Sequence, residues 1–242
     1  LGACAMPGAC FAVALEATGQ YAYVAAGLDG IAIVDVHDPQ LPQLLGSIYD
    51  VPYPPFDIDV EGDHLYSIGC QGEDSSGGSS SSAPLAGERT PWDPSGLSIH
   101  DISDPLAPMH RGTYDSDQGT NRLRVRKSLA YIANANGTLS VVDVSNASLP
   151  TLVAQVAAGG YSRDLHLLDD RAYITASQGS LLILDVSVPA LPELLGRWWE
   201  ADGCYDVSAR DGLVCVADRS YGLHLVDAAD PDLRWLDIDF WR

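Results

Sequence analysis

Short apolar runs separated by turn residues recur along the whole chain. One copy, Leu181–Gly196, reads LLILDVSVPALPELLG: an apolar run, an aspartate, a turn with prolines and a second apolar run. Related copies begin at Ile31, Leu97, Leu139 and Leu223. Apolar runs of this length between Asp, Gly, Pro and Ser are typical of β-strands, and no segment shows a convincing helical period. The pattern therefore predicts an all-β chain built from repeated units.

An aspartate closes the third strand signal of each unit and gives the repeat length. The separations are 66, 42, 42 and 42 residues, so the period is 42 with one insertion of 24; the aspartates are Asp35, Asp101, Asp143, Asp185 and Asp227. Each unit carries four strand signals, as in RDLHLL, RAYITA, SLLILDV and PELLGRW of the fourth unit. Four strands in about 42 residues indicate a propeller blade rather than a helical repeat. We expect the aspartates to end the strands through Asx turns.

These units predict one five-bladed β-propeller over residues 1–242. A single four-stranded sheet exposes two apolar faces, and a ring of copies covers both. The predicted blades are residues 10–50, 51–116, 117–158, 159–200 and 201–242, each bounded approximately, with a Ser/Gly-rich insertion at 71–94 in the second.

Two stretches carry a resemblance to a known family. YAYVAAGLDGIAIVDVHDPQLPQLLG from Tyr21 and RAYITASQGSLLILDVSVPALPELLG from Arg171 resemble the LVIVD repeat. The resemblance implies a β-propeller in secreted or surface proteins of bacteria and archaea, without an agreed catalytic motif. The third unit departs from the pattern with SNASLP, and Arg234 replaces a proline in the fifth. Both departures fall in turns and leave the blade interpretation intact.

Charge and hydropathy argue against nucleic-acid binding and against a membrane-spanning segment. The chain has 33 acidic and 13 basic residues, and its formal net charge of -20 repels nucleic acids. No run approaches the roughly 20 apolar residues of a membrane span. Because the sequence starts at Leu1 rather than Met, we expect processing or a longer precursor. We expect an extracellular or cell-surface location.

The five cysteines lack the spacing of zinc or haem sites, so export with disulfides is the better prediction. Cys10 and Cys204 occupy equivalent places on the first strands of blades one and five. A bridge from Cys204 to Cys10 or Cys4 would close the ring if the Cα atoms lie within about 7 Å. The alternative is a local bridge between Cys4 and Cys10. We expect Cys215 to be a buried free thiol.

One face of a propeller collects the insertion and several aromatic residues, because loops between strands two and three meet the loops between blades. The predicted interaction residues are Trp92, Tyr53, Tyr114, Trp198 and Trp199. The insertion is either a tolerated flexible loop or a partner-binding loop anchored by Trp92.

The segment DSDQG has the first half of a calcium-loop pattern, with Asp115 and Asp117 followed by Gly119. It lacks the terminal Glu of an EF-hand loop, and the alternative is an acidic solvated turn. We expect no other cofactor.

Three first strands carry aspartates at one repeat position, namely Asp57, Asp164 and Asp206, where the other two units have Ala12 and Arg122. We favour a structural role in which each carboxylate bonds the backbone of an adjacent strand. The alternative is an axial pair of glycosidase carboxylates.

The leading hypothesis is a non-catalytic binding or structural module, secreted or at the cell surface, that contacts protein or glycan through the insertion face. One alternative is a glycoside-active enzyme using the axial carboxylates. Another is a subunit of an extracellular assembly or filament, which a contiguous patch of Trp198, Trp199, Trp235 and Trp241 would favour.

Overall fold

The computed structural model describes residues 2–70, 95–177, 179–198, 203–220, 222–228 and 235–236, the last pair by backbone alone. Over these residues the chain forms twenty β-strands and one 3-10 turn, Gly27–Asp29. The strands make five successive four-stranded sheets, numbered here in chain order.

Sheet 1 contains β1 (Ala12–Leu15), β2 (Tyr21–Ala25), β3 (Ile31–Asp35) and β4 (Gln43–Ile48). Sheet 2 contains β5 (Pro55–Glu61), β6 (His64–Cys70), β7 (Ser95–Asp101) and β8 (Met109–Ser116). Sheet 3 contains β9 (Thr120–Arg126), β10 (Leu129–Asn134), β11 (Thr138–Asp143) and β12 (Thr151–Ala157). Sheet 4 contains β13 (Ser162–Leu168), β14 (Arg171–Ala176), β15 (Ser180–Asp185) and β16 (Glu193–Trp198). Sheet 5 contains β17 (Cys204–Arg210), β18 (Leu213–Asp218), β19 (Gly222–Asp227) and the two-residue β20 (Trp235–Leu236).

Within each sheet the strands lie side by side in chain order. Neighbouring strands are antiparallel, as short turns between consecutive strands require. The predicted all-β class and four-stranded repeat are therefore confirmed. The number of blades in a closed ring, the single domain over residues 1–242 and the blade limits remain predictions. No helix among the described residues is long and apolar enough to cross a membrane.

The aspartates that gave the repeat length end the third strands, as expected. In four sheets the carboxylate accepts a hydrogen bond from the backbone N–H two residues later, an Asx turn that stops the strand. The pairs are Asp35 with His37 at 2.9 Å, Asp101 with Ser103 at 2.9 Å, Asp143 with Ser145 at 2.8 Å and Asp185 with Ser187 at 2.8 Å.

The chain divides into two compact units. One comprises Leu1–Tyr131 with Val142–Thr151, and the other comprises Ile132–Val141 with Leu152–Arg242. Sheets 1 and 2 and strand β9 belong to the first unit, and sheets 4 and 5 belong to the second.

In the first unit, sheets 1 and 2 pack face to face. Tyr23, Ile31 and Ile33 of sheet 1 form one core cluster with Ile58 and Leu65 of sheet 2. We call the face of a sheet that packs on the next sheet its trailing face, and the opposite face its leading face. Because both faces of internal sheets are covered, the third strands are apolar on consecutive residues.

In the second unit, sheets 4 and 5 pack in the same way. The trailing face of sheet 4, with Tyr173 and Leu181, forms a core cluster with Val207, Val214 and Val216 on the leading face of sheet 5. The same apolar contact is therefore built twice, once in each unit.

Candidate functional site

A row of three carboxylates follows the trailing face of sheet 2. Asp57, Asp59 and Glu61 are two residues apart on β5, so their side chains share one face of the strand. All three accept hydrogen bonds from backbone N–H groups in or just after β9, the first strand of sheet 3. Asp57 Oδ2 accepts from Leu123 at 2.8 Å, Asp59 Oδ2 from Val125 at 2.7 Å, and Glu61 from Ser128 at 2.8 Å and from Lys127.

These bonds give partners to N–H groups on the edge of a sheet, where a ladder strand is missing. Leu123 is fully buried, so its N–H has no access to solvent and needs an internal acceptor. The carboxylate row therefore links sheet 2 to β9 along the length of the strand.

The second unit contains an equivalent of the bond between Asp57 and Leu123. Asp164 Oδ2, on the trailing face of sheet 4, accepts from the N–H of Val207 at 3.0 Å. Asp57 and Asp164 are both 6% exposed. Their bonds support the structural role expected for these aspartates.

A register shift positions each aspartate of the series. The pairing of the first and second strands skips one residue between Pro55 and Asp57, between Ser162 and Asp164, and between Cys204 and Asp206. Such a bulge re-aims the following side chain. The third aspartate, Asp206, is nevertheless exposed, and its Oδ1 accepts from its own strand neighbour, Val207, at 3.1 Å.

Electrostatics at Asp57 do not by themselves select a catalytic role. Burial raises the pKa of Asp57, while the charges of Arg124 and Arg122 and two backbone hydrogen bonds oppose the shift. Burial likewise raises the pKa of Asp59. A raised pKa suits a general acid, but both oxygens of Asp57 accept backbone N–H groups, from Leu123 and Ile58. The glycosidase alternative with Asp57, Asp164 and Asp206 remains a prediction.

Sequence reasoning missed Asp59, Glu61 and the arginine row beside them. Arg122, Arg124 and Arg126 alternate along β9 as the acids do along β5, and Arg124 Nη1 lies 3.5 Å from Asp57 Oδ2. The signal was present in the sequence, because DIDVE and RLRVR both place charges at the period of a strand.

The second candidate surface lies where the insertion leaves sheet 2. Residues 71–94 connect Cys70 on β6 to Ser95 on β7, which are paired in the sheet. The ring of Tyr53 lies over the neighbouring Gly96, where an added Cβ would be 2.4 Å from the tyrosine Cε2. Tyr53 donates its hydroxyl to Asp115 Oδ1 at 2.8 Å. Burial and this hydrogen bond raise the pKa of Tyr53 to about 12.

The other residues predicted for the interaction face differ in their exposure. Tyr114 is half-buried on β8, and burial raises its pKa. Trp198 is only 5% exposed and its ring packs edge-on against His224, 4.9 Å between centroids. The prediction that Trp198 lies on the interaction face is therefore wrong, because its side chain turns into the core of the second unit. Trp92, Trp199 and Trp241 lie outside the described residues, as does the side chain of Trp235.

The calcium prediction rests on Asp115 and Asp117. Asp117 Oδ1 accepts from the amide of Gln118 at 2.6 Å, and Asp115 accepts from Tyr53. Across the part of the chain that the structure describes, no three His, Cys, Asp or Glu residues are arranged to hold a metal ion. Calcium binding remains a prediction.

All five cysteines lie in the described part of the chain, and no disulfide joins any of them. Cys204 is fully buried in the core of the second unit, and burial raises its pKa to about 12. Cys10 is exposed. The structure therefore does not contain the predicted bridge of Cys204 to Cys10 or Cys4, or the local bridge of Cys4 to Cys10. Cys215 is free, as expected, but half-buried rather than buried.

Solved structures share the fold of this chain. A computationally designed protein, Ika8, superposes with a TM-score of 0.63 at 10% identity over 85% of this chain and 55% of its own. The chain thus spans about half the length of that protein. The designed Ika4 protein gives a TM-score of 0.55 at 10% identity, over 74% of this chain and 94% of its own. At this identity the likeness concerns the fold alone.

Sequence comparison identifies the repeat. No curated protein matches the chain. The LVIVD repeat model matches residues 12–50, 120–158 and 159–199. These three matches cover the strands of sheets 1, 3 and 4, and they confirm the resemblance seen in the sequence. The chain therefore carries LVIVD repeats at these three places.

Proposed function

We propose that this protein is a non-catalytic binding module, secreted or at the cell surface, that contacts a glycan through the face carrying the 71–94 insertion. The observation that carries the proposal is the hydrogen-bonded pair of Tyr53 and Asp115 beside the strand ends at Cys70 and Ser95. A tyrosine ring held in place offers a flat apolar surface, and the neighbouring carboxylate accepts hydrogen bonds from hydroxyl groups.

An exposed aromatic residue in the same loop as Tyr53 supports a binding surface here. Tyr49, four residues before Tyr53 in the segment between β4 and β5, is 72% exposed. Exposed aromatic residues in loops on a rigid scaffold are common features of binding sites. The net charge of -20 selects neutral or cationic partners over anionic ones.

The glycoside-active alternative has one supporting observation, the burial that raises the pKa of Asp57. Against it, Asp57 Oδ2 and Asp164 Oδ2 accept backbone N–H groups of β9 and β17, and Asp57 Oδ1 accepts the N–H of Ile58 on its own strand. Oxygens that accept such bonds already hold neighbouring backbone in place, so binding without chemistry is the better-supported function.

The test is a glycan array, followed by calorimetric titration of the strongest ligand, with and without calcium after chelator treatment. We expect Asp115→Ala to abolish measurable binding, and Tyr53→Phe, which removes only the hydroxyl, to weaken it about tenfold. Asp63→Ala is the matched control, because Asp63 is an exposed aspartate in the turn between β5 and β6 of the same sheet.

Three results distinguish the alternatives. Equal binding by Asp115→Ala and wild type would place the ligand elsewhere. The absence of any glycan ligand in both calcium conditions would overturn the glycan proposal and leave a protein partner. Release of reducing sugar that Asp57→Asn removes would favour the glycoside-active enzyme.

A further inference from the structure

A histidine occupies an apolar position of the repeat in sheet 2. The residue before the strand-ending aspartate is His100 in this sheet, whereas the other four sheets have Val34, Val142, Leu184 and Val226. His100 pairs with Leu65, so its side chain lies on the leading face of sheet 2, which packs on sheet 1. It is 1% exposed. The contact between sheets 1 and 2 therefore buries a side chain that can take up a proton near neutral pH.

The surroundings of His100 determine which ring nitrogen carries the hydrogen. Nε2 lies 3.1 Å from the backbone oxygen of Asp50, in the segment between β4 and β5. A carbonyl oxygen only accepts, so Nε2 carries the hydrogen and Nδ1 is the unprotonated nitrogen of the neutral ring. Nδ1 is buried and has no hydrogen-bond partner in the part of the chain that the structure describes. A second proton would therefore place a positive charge, and an N–H without an acceptor, inside the packed contact.

The charged groups near His100 do not compensate for its burial. Burial is the largest influence and lowers the pKa of His100; the hydrogen bond to the Asp50 backbone and the charge of Asp50 oppose the shift, and the charge of His110 adds to it. His110 is the cross-strand partner on β8, with 5.2 Å between the ring centroids.

The other elements packed around His100 bring no countercharge to its ring. No titratable residue of β5 or β6, both described in full, shares the face of His100. The titratable residues on the trailing face of sheet 1 are Glu16, Tyr21, Tyr23 and Asp35. Both carboxylates of that set accept hydrogen bonds in turns of sheet 1 itself. Burial raises the pKa of Tyr23 to about 12, so this tyrosine stays neutral.

We propose that His100 makes the contact of sheet 2 with sheet 1 and with the β4–β5 segment sensitive to pH: the neutral ring holds the contact and the protonated ring loosens it. A protonated ring regains hydration only by leaving the core, and it then loses the Asp50 carbonyl. Because burial holds the pKa of His100 below its ordinary value of about 6.5, the unfolded chain takes up this proton first as pH falls. The stabilising contribution of His100 is therefore present above about pH 6.5 and is lost as pH falls through the lower pKa of the folded state.

The test is urea denaturation of the full chain from about pH 8 to about pH 5, beside the variants His100→Leu and His100→Gln. We expect the folding equilibrium constant of wild type, divided by that of His100→Leu, to fall by up to about tenfold for each pH unit below about 6.5. His100→Gln keeps a side-chain N–H for the Asp50 carbonyl but cannot become charged. Its folding constant, divided by that of His100→Leu, should not change with pH. The matched control is His37→Gln, which removes an exposed histidine in the turn after β3 and should keep the wild-type pH dependence.

Two measurements examine the histidine and the segment directly. Amide hydrogen exchange over residues 49–54, corrected for the intrinsic effect of pH, should accelerate on acidification in wild type and not in His100→Gln. A ring-proton NMR titration of wild-type His100 gives an answer even where a variant does not fold. A His100 that titrates at or above about pH 6.5 would overturn the proposal. So would a ratio of wild type to His100→Leu that is the same at both ends of the pH range, or a pH dependence that His37→Gln removes.

The same segment carries Tyr49 and Tyr53, so acidification should also weaken glycan binding by wild type more than by His100→Gln. That consequence rests on the proposed function. The denaturation, exchange and NMR measurements need no ligand, so their failure is distinguishable from a failure of the proposed function.

Discussion

The contact between sheets 1 and 2 and the contact between sheet 2 and β9 use the same repeat positions with different chemistry. On the trailing face of sheet 1 the first strand offers Ala12 and Ala14, and on that of sheet 2 it offers Asp57 and Asp59. Both contacts bury an apolar residue at the next position, Ile58 in one and Leu123 in the other. The comparison shows that apolar packing is the constant part of the repeat, and that the carboxylate bonds are an addition to it.

The third position of the row extends the comparison. Glu61 reaches the backbone of Ser128 beyond β9, whereas Glu16, the equivalent residue of sheet 1, turns back on its own hairpin. Glu16 accepts backbone hydrogen bonds from Thr18 and Gln20, each at 2.7 Å. A glutamate at this repeat position therefore stabilises a turn in sheet 1 and the contact of sheet 2 with sheet 3.

The largest loss of stability should come from removing the buried apolar residue that both contacts share. Ile58→Ala and Leu123→Ala each remove a buried side chain from a packed interface, and we expect each to cost about 2 to 5 kcal/mol in the free energy of unfolding. Urea denaturation of the two variants beside wild type measures the cost. A cost for Leu123→Ala below about 1 kcal/mol would mean that carboxylates have replaced packing at the second contact.

Alanine substitutions of the three repeat aspartates should have intermediate effects on the free energy of unfolding. Asp57→Ala leaves the buried N–H of Leu123 without an acceptor and should cost about 1 to 3 kcal/mol. Asp164→Ala should cost less, because Val207 keeps its bond to Asp206. Asp206→Ala, at the same repeat position but exposed, should change monomer stability by about 0.5 kcal/mol or less.

Chemical denaturation at a protein concentration below any self-association checks the order. Equal costs for the three aspartates would show that the bonds between sheets contribute nothing beyond the local turn.

The smallest effect concerns Glu16 and pH. Burial opposes ionisation of Glu16, but the hydrogen bonds from Thr18, Gln20 and Tyr21 lower its pKa from 4.5 to about 2. Its contribution is therefore present above pH 4.5 and is lost as pH falls through about 2. Because the side chain is largely exposed, we expect Glu16→Gln to cost about 0.5 kcal/mol or less at neutral pH and nothing near pH 2.

Thermal melts of Glu16→Gln and wild type between pH 2 and 7 measure this difference. The matched control is Glu193→Gln, which removes an exposed glutamate on β16. A difference that grows as pH falls would contradict the assignment.

The sequence predicted the strands and their order because apolar runs, strand-ending aspartates and turn residues are local signals. It also predicted that Asp57 and Asp164 bond neighbouring backbone. It could not separate the exposed Asp206 from the buried Asp57 and Asp164, because the three share a repeat position. Trp198 was misassigned for a related reason, since a residue at a strand end can turn toward solvent or core and neighbouring strands decide which.

The alanines of β1 also have a consequence for how the first unit opens. In an array where each repeat touches only its neighbours, stability is approximately a sum of intrinsic terms and nearest-neighbour terms. In the contact between sheets 1 and 2, Ala12 and Ala14 supply no carboxylate bonds, whereas Asp57 and Asp59 bond the backbone of β9 in the next contact. The nearest-neighbour term of the contact between sheets 1 and 2 should therefore be smaller than that of the contact between sheet 2 and β9. We therefore expect fraying of this unit to begin at sheet 1.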